Sequence, residues 1–428
     1  MAEVSLFAVG VLFTTAAIGG VVADRLGQSV IPFYILGGMG LGPFVLGRAP
    51  EVLPAIEVAG VDLVAQASTL AVDGSAGFVE LGAELGIVLL LFFLGLEFNL
   101  ERLFASRRKI GTAGTIDLLN FVVGFALGWV LFDGAFAAFL VAGIVYISSS
   151  AIITKSLIDL GWIANDEANP ILGILVFEDL FIAIYLAIAT ALATGGGGAG
   201  EALSSVAVGM GFILALLAFV AVGDAVFQRL LEDASHEITV IRTLGVTILI
   251  AGGAYALGVS EAVAAFFVGM GFSATDHVHD LERLLEPLRD AFAALFFLWI
   301  GLLTDPTTFG PVLGLIAVAV VLTTGSKLVS AYWGGRVYGL SPRRSIRVAL
   351  GLTTRGEFSL IVASVALTAG ANGVVPNGVA DEIYALAVGY VLAMSILGTT
   401  LMGYSDRIES ALVPRLPGGS TPAGAGGE

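Results

Sequence analysis

The chain has 428 residues, 57% of them hydrophobic and only 13% charged, with a mean hydropathy of +0.98. A soluble domain carries about 25% charged residues. The deficit here runs the whole length of the chain, which excludes a single soluble core. A net charge of −16 rules against nucleic acid as a partner, and the absence of cysteine excludes disulfides, thiolate metal sites and cysteine nucleophiles.

Apolar runs long enough to cross a bilayer follow one another between short polar breaks. Thirteen spans are predicted, near 4–22, 28–46, 80–98, 110–132, 135–157, 168–194, 203–228, 238–257, 260–275, 288–304, 310–335, 345–369 and 380–403. The runs are continuous rather than alternating, which excludes a transmembrane barrel. The 57 glycines suit a helical bundle, where small residues let helices approach closely. Residues 1–22 lack the basic start and cleavage site of a signal peptide and read as the first span. The connection 49–79 is partly apolar and reads as an interfacial segment. Gly195–Gly198 form a linker, not a phosphate cradle, because no strand precedes them. Residues 404–428 are rich in Pro, Gly, Ser and Thr, so a disordered cytoplasmic tail is predicted.

The basic residues orient these spans. With the N-terminus outside, 16 of the 19 fall in inside connections, Arg48 alone falls outside, and Lys327 and Arg355 lie within spans. Cytoplasmic loops hold the Lys and Arg of membrane proteins, so the C-terminus is predicted inside. The fold class is an all-α polytopic membrane protein with a membrane domain over 1–403. Thirteen spans divide as six, one and six, and six-span units about an odd linker insert with opposite topology, the pattern of inverted-repeat transporters.

Two spans carry polar interruptions at matching places in the two halves. The fifth has Ser148, Ser149 and Ser150 at its middle; its counterpart has Thr353, Thr354, Arg355, Gly356 and Glu357. Unwound backbone survives at membrane depth only beside a cavity or within protein. Paired interruptions of this kind point to a binding site near the midplane. Each alone is equally explained by Ser and Thr bonding to their own helix.

Ionisable groups inside a membrane are costly and therefore functional candidates. Glu178 and Asp179 are adjacent, near the middle of the sixth span. Their side chains point about 100° apart on a helix, so one can face a water-filled cavity while the other faces a neighbouring helix. A carboxyl group there can hold a proton or a metal cation but not both well, and that competition suffices for exchange. Asp179 is the predicted exchange residue and binds the monovalent cation. Lys327 lies too deep to snorkel and needs a counter-ion, for which Glu178 is the choice; a purely structural Glu178–Lys327 pair is the alternative. Ser149, Ser150 and Thr354 complete the predicted ion- and proton-binding set. Arg355 and Glu357 are expected to compensate charge at the second break, by pairing or by neutralising helix dipoles. Asp117 and Asn120 share a helix face and are candidates for lining the cavity, although Asp117 is close enough to the inner surface to be merely solvated.

These residues resemble a known family. The run VELGAELGIVLLLFFLGLEFNLERL looks like the "ELG…LFxxGLE" signature of Kef-type members of the monovalent cation:proton antiporter-2 family. SSSAIITKSLIDLG followed by LGILVFEDLFIAI resembles that family's Ser-Ser-Thr-Ala broken helix and its "FQD" helix. SEAVAAFFVGMGFSATDHVHDLERLLEPLRDAFAALFFLWIGLLTD resembles its "GAFLAG…EPF…LFFxxxGM" block. The resemblance spans roughly residues 4–403. It implies a core domain with two crossed broken helices, here about 80–194 and 310–403, and a dimerisation domain, hence a homodimer. It further implies cation and proton competition at Asp179, a Lys327 matching the lysine that related sodium/proton antiporters pair with the preceding acid, and an elevator-like movement of the core. Two departures stand out. Glu178 replaces the usual glutamine, as in two-carboxylate sodium/proton antiporters, which leaves potassium against sodium open. No nucleotide-binding regulatory domain follows the last span, so regulation would need a separate cytosolic subunit. The expectation is a proton/K⁺ or proton/Na⁺ antiporter of the prokaryotic inner membrane. It partners the lipid bilayer and its ions, needs no cofactor, and is no enzyme. A cation channel or regulated K⁺ efflux pathway on the same fold is the alternative, although no filter-like segment is present.

Overall fold

The computed structural model describes residues 6–194, 224–256 and 261–412, apart from gaps at 53, 55–56, 59–60, 98–99, 163–164, 232–234, 274 and 276, together with 211, 214–215 and 218. Those residues are almost wholly helical. Besides turns and short unwound segments, they include a hairpin of two-residue strands, β1 (Glu57–Val58) and β2 (Val61–Asp62), paired antiparallel.

Among the described residues of the first half are ten helices: α1 (Leu6–Leu26), α2 (Ile31–Leu41), α3 (Ala49–Val52), α4 (Leu63–Ser68), α5 (Gly77–Glu97), α6 (Leu100–Asp117), α7 (Leu119–Leu131), α8 (Ala135–Tyr146), α9 (Ser150–Asp159) and α10 (Ala168–Thr194). The second half has α11 (Asp224–Leu231), α12 (His236–Ala256), α13 (Glu261–Ser273), α14 (Val278–Leu303), α15 (Phe309–Val337), α16 (Pro342–Gly351), α17 (Glu357–Ala371), α18 (Asn377–Gly403) and α19 (Ser405–Leu412). Among the described residues seven stretches are long and apolar enough to span a membrane: Leu6–Leu26, Gly77–Leu96, Ser106–Leu131, Ala168–Thr194, His236–Ala256, Pro306–Val337 and Asn377–Gly403. The expected span 203–228 falls mostly outside the described residues.

Several expectations are revised. The span drawn at 110–132 falls on one apolar stretch, Ser106–Leu131, in which Leu118 alone separates α6 from α7, while the span drawn at 288–304 begins ten residues earlier, because α14 opens with the charged turns VHDLERLLEPLRD. The tail predicted as disordered from 404 carries helix α19; residues 413–428 lie outside the described residues. As expected from their polar middles, the spans at 135–157 and 345–369 are each interrupted, as α8 and α9 and as α16 and α17.

The chain forms two compact units, Met1–Glu101 with Phe181–Gly314 and Leu360–Gly389, and Arg102–Leu180 with Leu315–Ser359 and Tyr390–Glu428. The stretches expected for the core (80–194 and 310–403) are thereby divided, and α5 belongs to the first unit. In the first unit α1, α5 and α14 pack on a core of Leu12, Ala16, Val79, Leu295, Leu298 and Leu302. Glycines set the closest approach there: a Cβ on Gly95 or on Gly269 would collide with the facing backbone, at Phe266 and Phe92 respectively, so α5 and α13 touch main chain to main chain.

In the second unit Ala113, Ile153, Leu157, Ile171, Ile174, Ala331, Val348, Ala349 and Met402 form one core that draws α6, α9, α10, α15, α16 and α18 around both interrupted helices. Local chemistry starts these pieces. Pro342 occupies the first turn of α16, and the Ser341 hydroxyl caps it by accepting from the Arg344 N–H. Gly134, at φ 107°, makes the turn from α7 into α8 that a side chain would strain.

Candidate functional site

The site belongs entirely to the second unit. Helix α8 stops at Tyr146; Ile147 is extended at φ −71° and ψ 130°, and α9 starts only at Ser150. Helix α16 stops at Gly351, and residues 352–356 are non-helical before α17 starts at Glu357. The two unwound segments bond to each other. The Ser149 N–H donates to the Thr354 carbonyl (3.2 Å), Ser148 Oγ to the Leu352 carbonyl (3.2 Å), and Ser359 Oγ to the Ile144 carbonyl (2.6 Å). Gly356 permits this contact, since a Cβ there would lie 2.5 Å from Ser149 Oγ. The crossing thus satisfies backbone groups that hydrocarbon would leave bare.

Charge is arranged around the helix ends. The Arg355 side chain is fully buried and donates to the carbonyls of Val145 (3.0 Å), Leu352 (3.1 Å), Thr353 (3.0 Å) and Thr354 (3.1 Å). One guanidinium therefore meets the negative ends of both α8 and α16. Glu357 sits in the first turn of α17, where a negative charge is favourable, and accepts from Ser149 Oγ (2.6 Å). Among the described residues, Thr354 Oγ1 and Arg355 Nη2 are buried without a protein hydrogen-bond partner. Such orphaned atoms at a site call for a small polar occupant.

Helix α10 brings the two adjacent acids to this crossing. Both oxygens of Asp179, which is only 4% exposed, lie at Ser150 Oγ (3.1 and 3.3 Å), at the start of α9. Glu178 turns to another side: it accepts from the Ser148 N–H (2.7 Å) and from Lys327 Nζ (2.5 Å). Lys327 also reaches a second acid, Asp117 Oδ2, at 2.7 Å, and all three side chains are fully buried. Asp117 is therefore neither solvated nor at a surface. The sequence offers Asp117 either as cavity-lining or as solvated near a span end, and its burial against Lys327 and Ser330 of α15 excludes the second. Asn120 joins it, donating to Asp117 Oδ1 (2.9 Å) and Ser330 Oγ (2.9 Å). Sequence reasoning did not single out Ser326 or Ser330; their spacing around Lys327 on α15 is the signal that was available.

Two crossed, unwound helices with a buried acid at the crossing form the arrangement in which secondary membrane transporters hold substrate and coupling ions. Residues 12–403 match the family described as "Sodium/hydrogen exchanger, transmembrane", and the chain belongs to that family. It is 34% identical to the K⁺/H⁺ antiporter subunit KhtU of Bacillus subtilis over 94% of each chain. It is 30% identical to the ammonium/H⁺ antiporter subunit AmhT of Alkalihalophilus pseudofirmus, over 77% of this chain and 82% of that one. Its fold resembles that of the sodium proton antiporter MjNhaP1 from Methanocaldococcus jannaschii, with a TM-score of 0.66 at 15% identity, covering 93% of this chain and 97% of that chain. These relatives are transporters rather than enzymes.

Proposed function

We propose that this chain exchanges protons for a monovalent cation, K⁺ or Na⁺, by alternating access, with Asp179 alternately protonated and cation-bound. What carries the proposal is the Asp179 carboxylate, nearly closed off from solvent, set against Ser150 where two unwound helices cross. The orphaned Thr354 hydroxyl supplies a further oxygen of the kind a dehydrated monovalent cation takes, and Ser149 and Glu178 lie in the same crossing. The names of KhtU and AmhT favour K⁺, or an ammonium ion of similar size, over Na⁺. KhtU and AmhT are each described as an antiporter subunit, which supports a separate partner for this chain as well. The distribution of basic residues supports thirteen spans in a bacterial plasma membrane with the N-terminus outside, and the family resemblance supports a homodimer.

The test is purified protein in sealed liposomes holding a pH dye under an imposed pH gradient, with K⁺, Na⁺ or Li⁺ added outside. One of these cations dissipates the gradient with the wild type and not with Asp179→Asn, whose thermal unfolding stays close to that of the wild type. Downhill movement of labelled cation with no proton counterflow would replace antiport by a channel.

A further inference from the structure

Lys327 is held by two carboxylates, and the two are rooted differently. Glu178 belongs to the first break: its Oε2 accepts the Ser148 N–H, so its place depends on the unwound segment. Asp117, the last residue of α6, is fastened instead to the lysine's helix, α15. Its Oδ2 takes the ammonium, and its Oδ1 takes the hydroxyl of Ser330, one turn further along α15, at 2.9 Å. Asn120 fastens the same place again, donating to Ser330 Oγ and accepting from Ser326 Oγ at 2.7 Å. Residues 326, 327 and 330 of α15 are thus all tied to the α6–α7 junction, and one bond of Lys327 leads to Glu178 at the exchange site. The Tyr146 ring lies 5.7 Å from the same ammonium.

A buried ammonium with one counter-ion cannot release it without being stranded. With two it can release either. We infer that Asp117 is the standing counter-ion of Lys327, a positioning residue that keeps the ammonium on α15 and lets Glu178 exchange its bond to the lysine for another beside Asp179. This rests on the antiport reading of Asp179 and adds what sets the lysine's grip on the site. Without Asp117, Lys327 draws on Glu178 alone, and its charge is committed to the place where a cation must bind.

The experiment has two arms. Thermal unfolding of purified protein is followed for Asp117→Asn, Glu178→Gln and the double variant. Each single variant leaves the ammonium one partner; the double strands it, so its loss exceeds the sum of the two, and adding Lys327→Met to the double restores stability. Should Asp117→Asn alone fail to fold, Asp117→Asn with Lys327→Met folds. Additive losses, or no rescue by Lys327→Met, overturn the assignment. In liposomes, Asp117→Asn raises KM for the cation roughly fivefold or more while kcat falls less, and Asp117→Glu brings KM back. A lowered unfolding temperature with unchanged KM reduces Asp117 to a structural role and also overturns it. The unfolding arm reads out with or without transport, so a wild type that moves no protons ends the antiport reading and leaves the counter-ion to be judged separately.

Discussion

Lys327 shows how far one residue can be understood from its surroundings. It donates to two carboxylates and all three side chains are fully buried, so removing it leaves two buried acids facing each other. Lys327→Ala is expected to cost about 3–5 kcal/mol of stability, the range for breaking a buried ion pair from one side. Glu178→Gln on that background recovers only part of the loss, because Asp117 remains; full recovery in thermal unfolding would show that Asp117 carries no charge there. Depth within an apolar run is enough to single out Glu178, Asp179 and Lys327 in the sequence, since ionisable groups are rare at such depth. The lysine's full set of partners is not legible in the same way. Asp117 lies 210 residues from Lys327, at a helix end that resembles an ordinary interfacial position. Only the fold, by packing Asp117 against Lys327 and Ser330 of α15, buries it completely.

At the scale of elements, the crossing is the part most readily read from sequence. A serine triplet and a Thr-Thr-Arg-Gly-Glu run each interrupt an apolar stretch, and both segments are unwound. What sequence does not reveal is how the halves are held, because those bonds run between segments some 200 residues apart: Ser149 to Glu357, Arg355 to Val145, Ser359 to Ile144. Gly356 is the tightest point. An added methyl would lie 2.5 Å from Ser149 Oγ and 2.8 Å from its Cβ, and must displace the serine that Glu357 holds. Gly356→Ala is therefore expected to cost about 1–3 kcal/mol, as overpacking does, and to reduce exchange along with stability. Unchanged transport rates from this variant would show that the Ser149–Glu357 contact is dispensable.

At the scale of the molecule, the second unit is closed at its charged end by a cluster that no apolar pattern foretells. Arg347 stacks on Trp162 at 5.3 Å and pairs with Glu167 (3.5 Å), Asp406 (3.1 Å) and Glu409. Glu409, only 1% exposed, also takes Arg343 at 2.6 Å. Loop, broken helix and tail helix are joined there, and the start of α19 in a Pro- and Gly-rich tail escaped prediction because its support is ionic rather than hydrophobic. Glu409→Ala is expected to lower stability by about 2 kcal/mol, between exposed and buried ion pairs. The deficit should narrow in high salt, where the wild-type pairs are themselves weakened; a deficit independent of salt would place the effect in packing instead.

The same cluster has a bearing on synthesis. Arg347 is translated 62 residues before the glutamate that receives it, so during elongation α16 lies in the membrane with its end charge only partly answered by Glu167. The α16 end of the second unit is therefore closed only once the tail helix has followed α18 out of the ribosome. A chain truncated between Gly403 and Glu409 would carry every apolar helix of this unit and still lack the glutamate that receives Arg343 and Arg347.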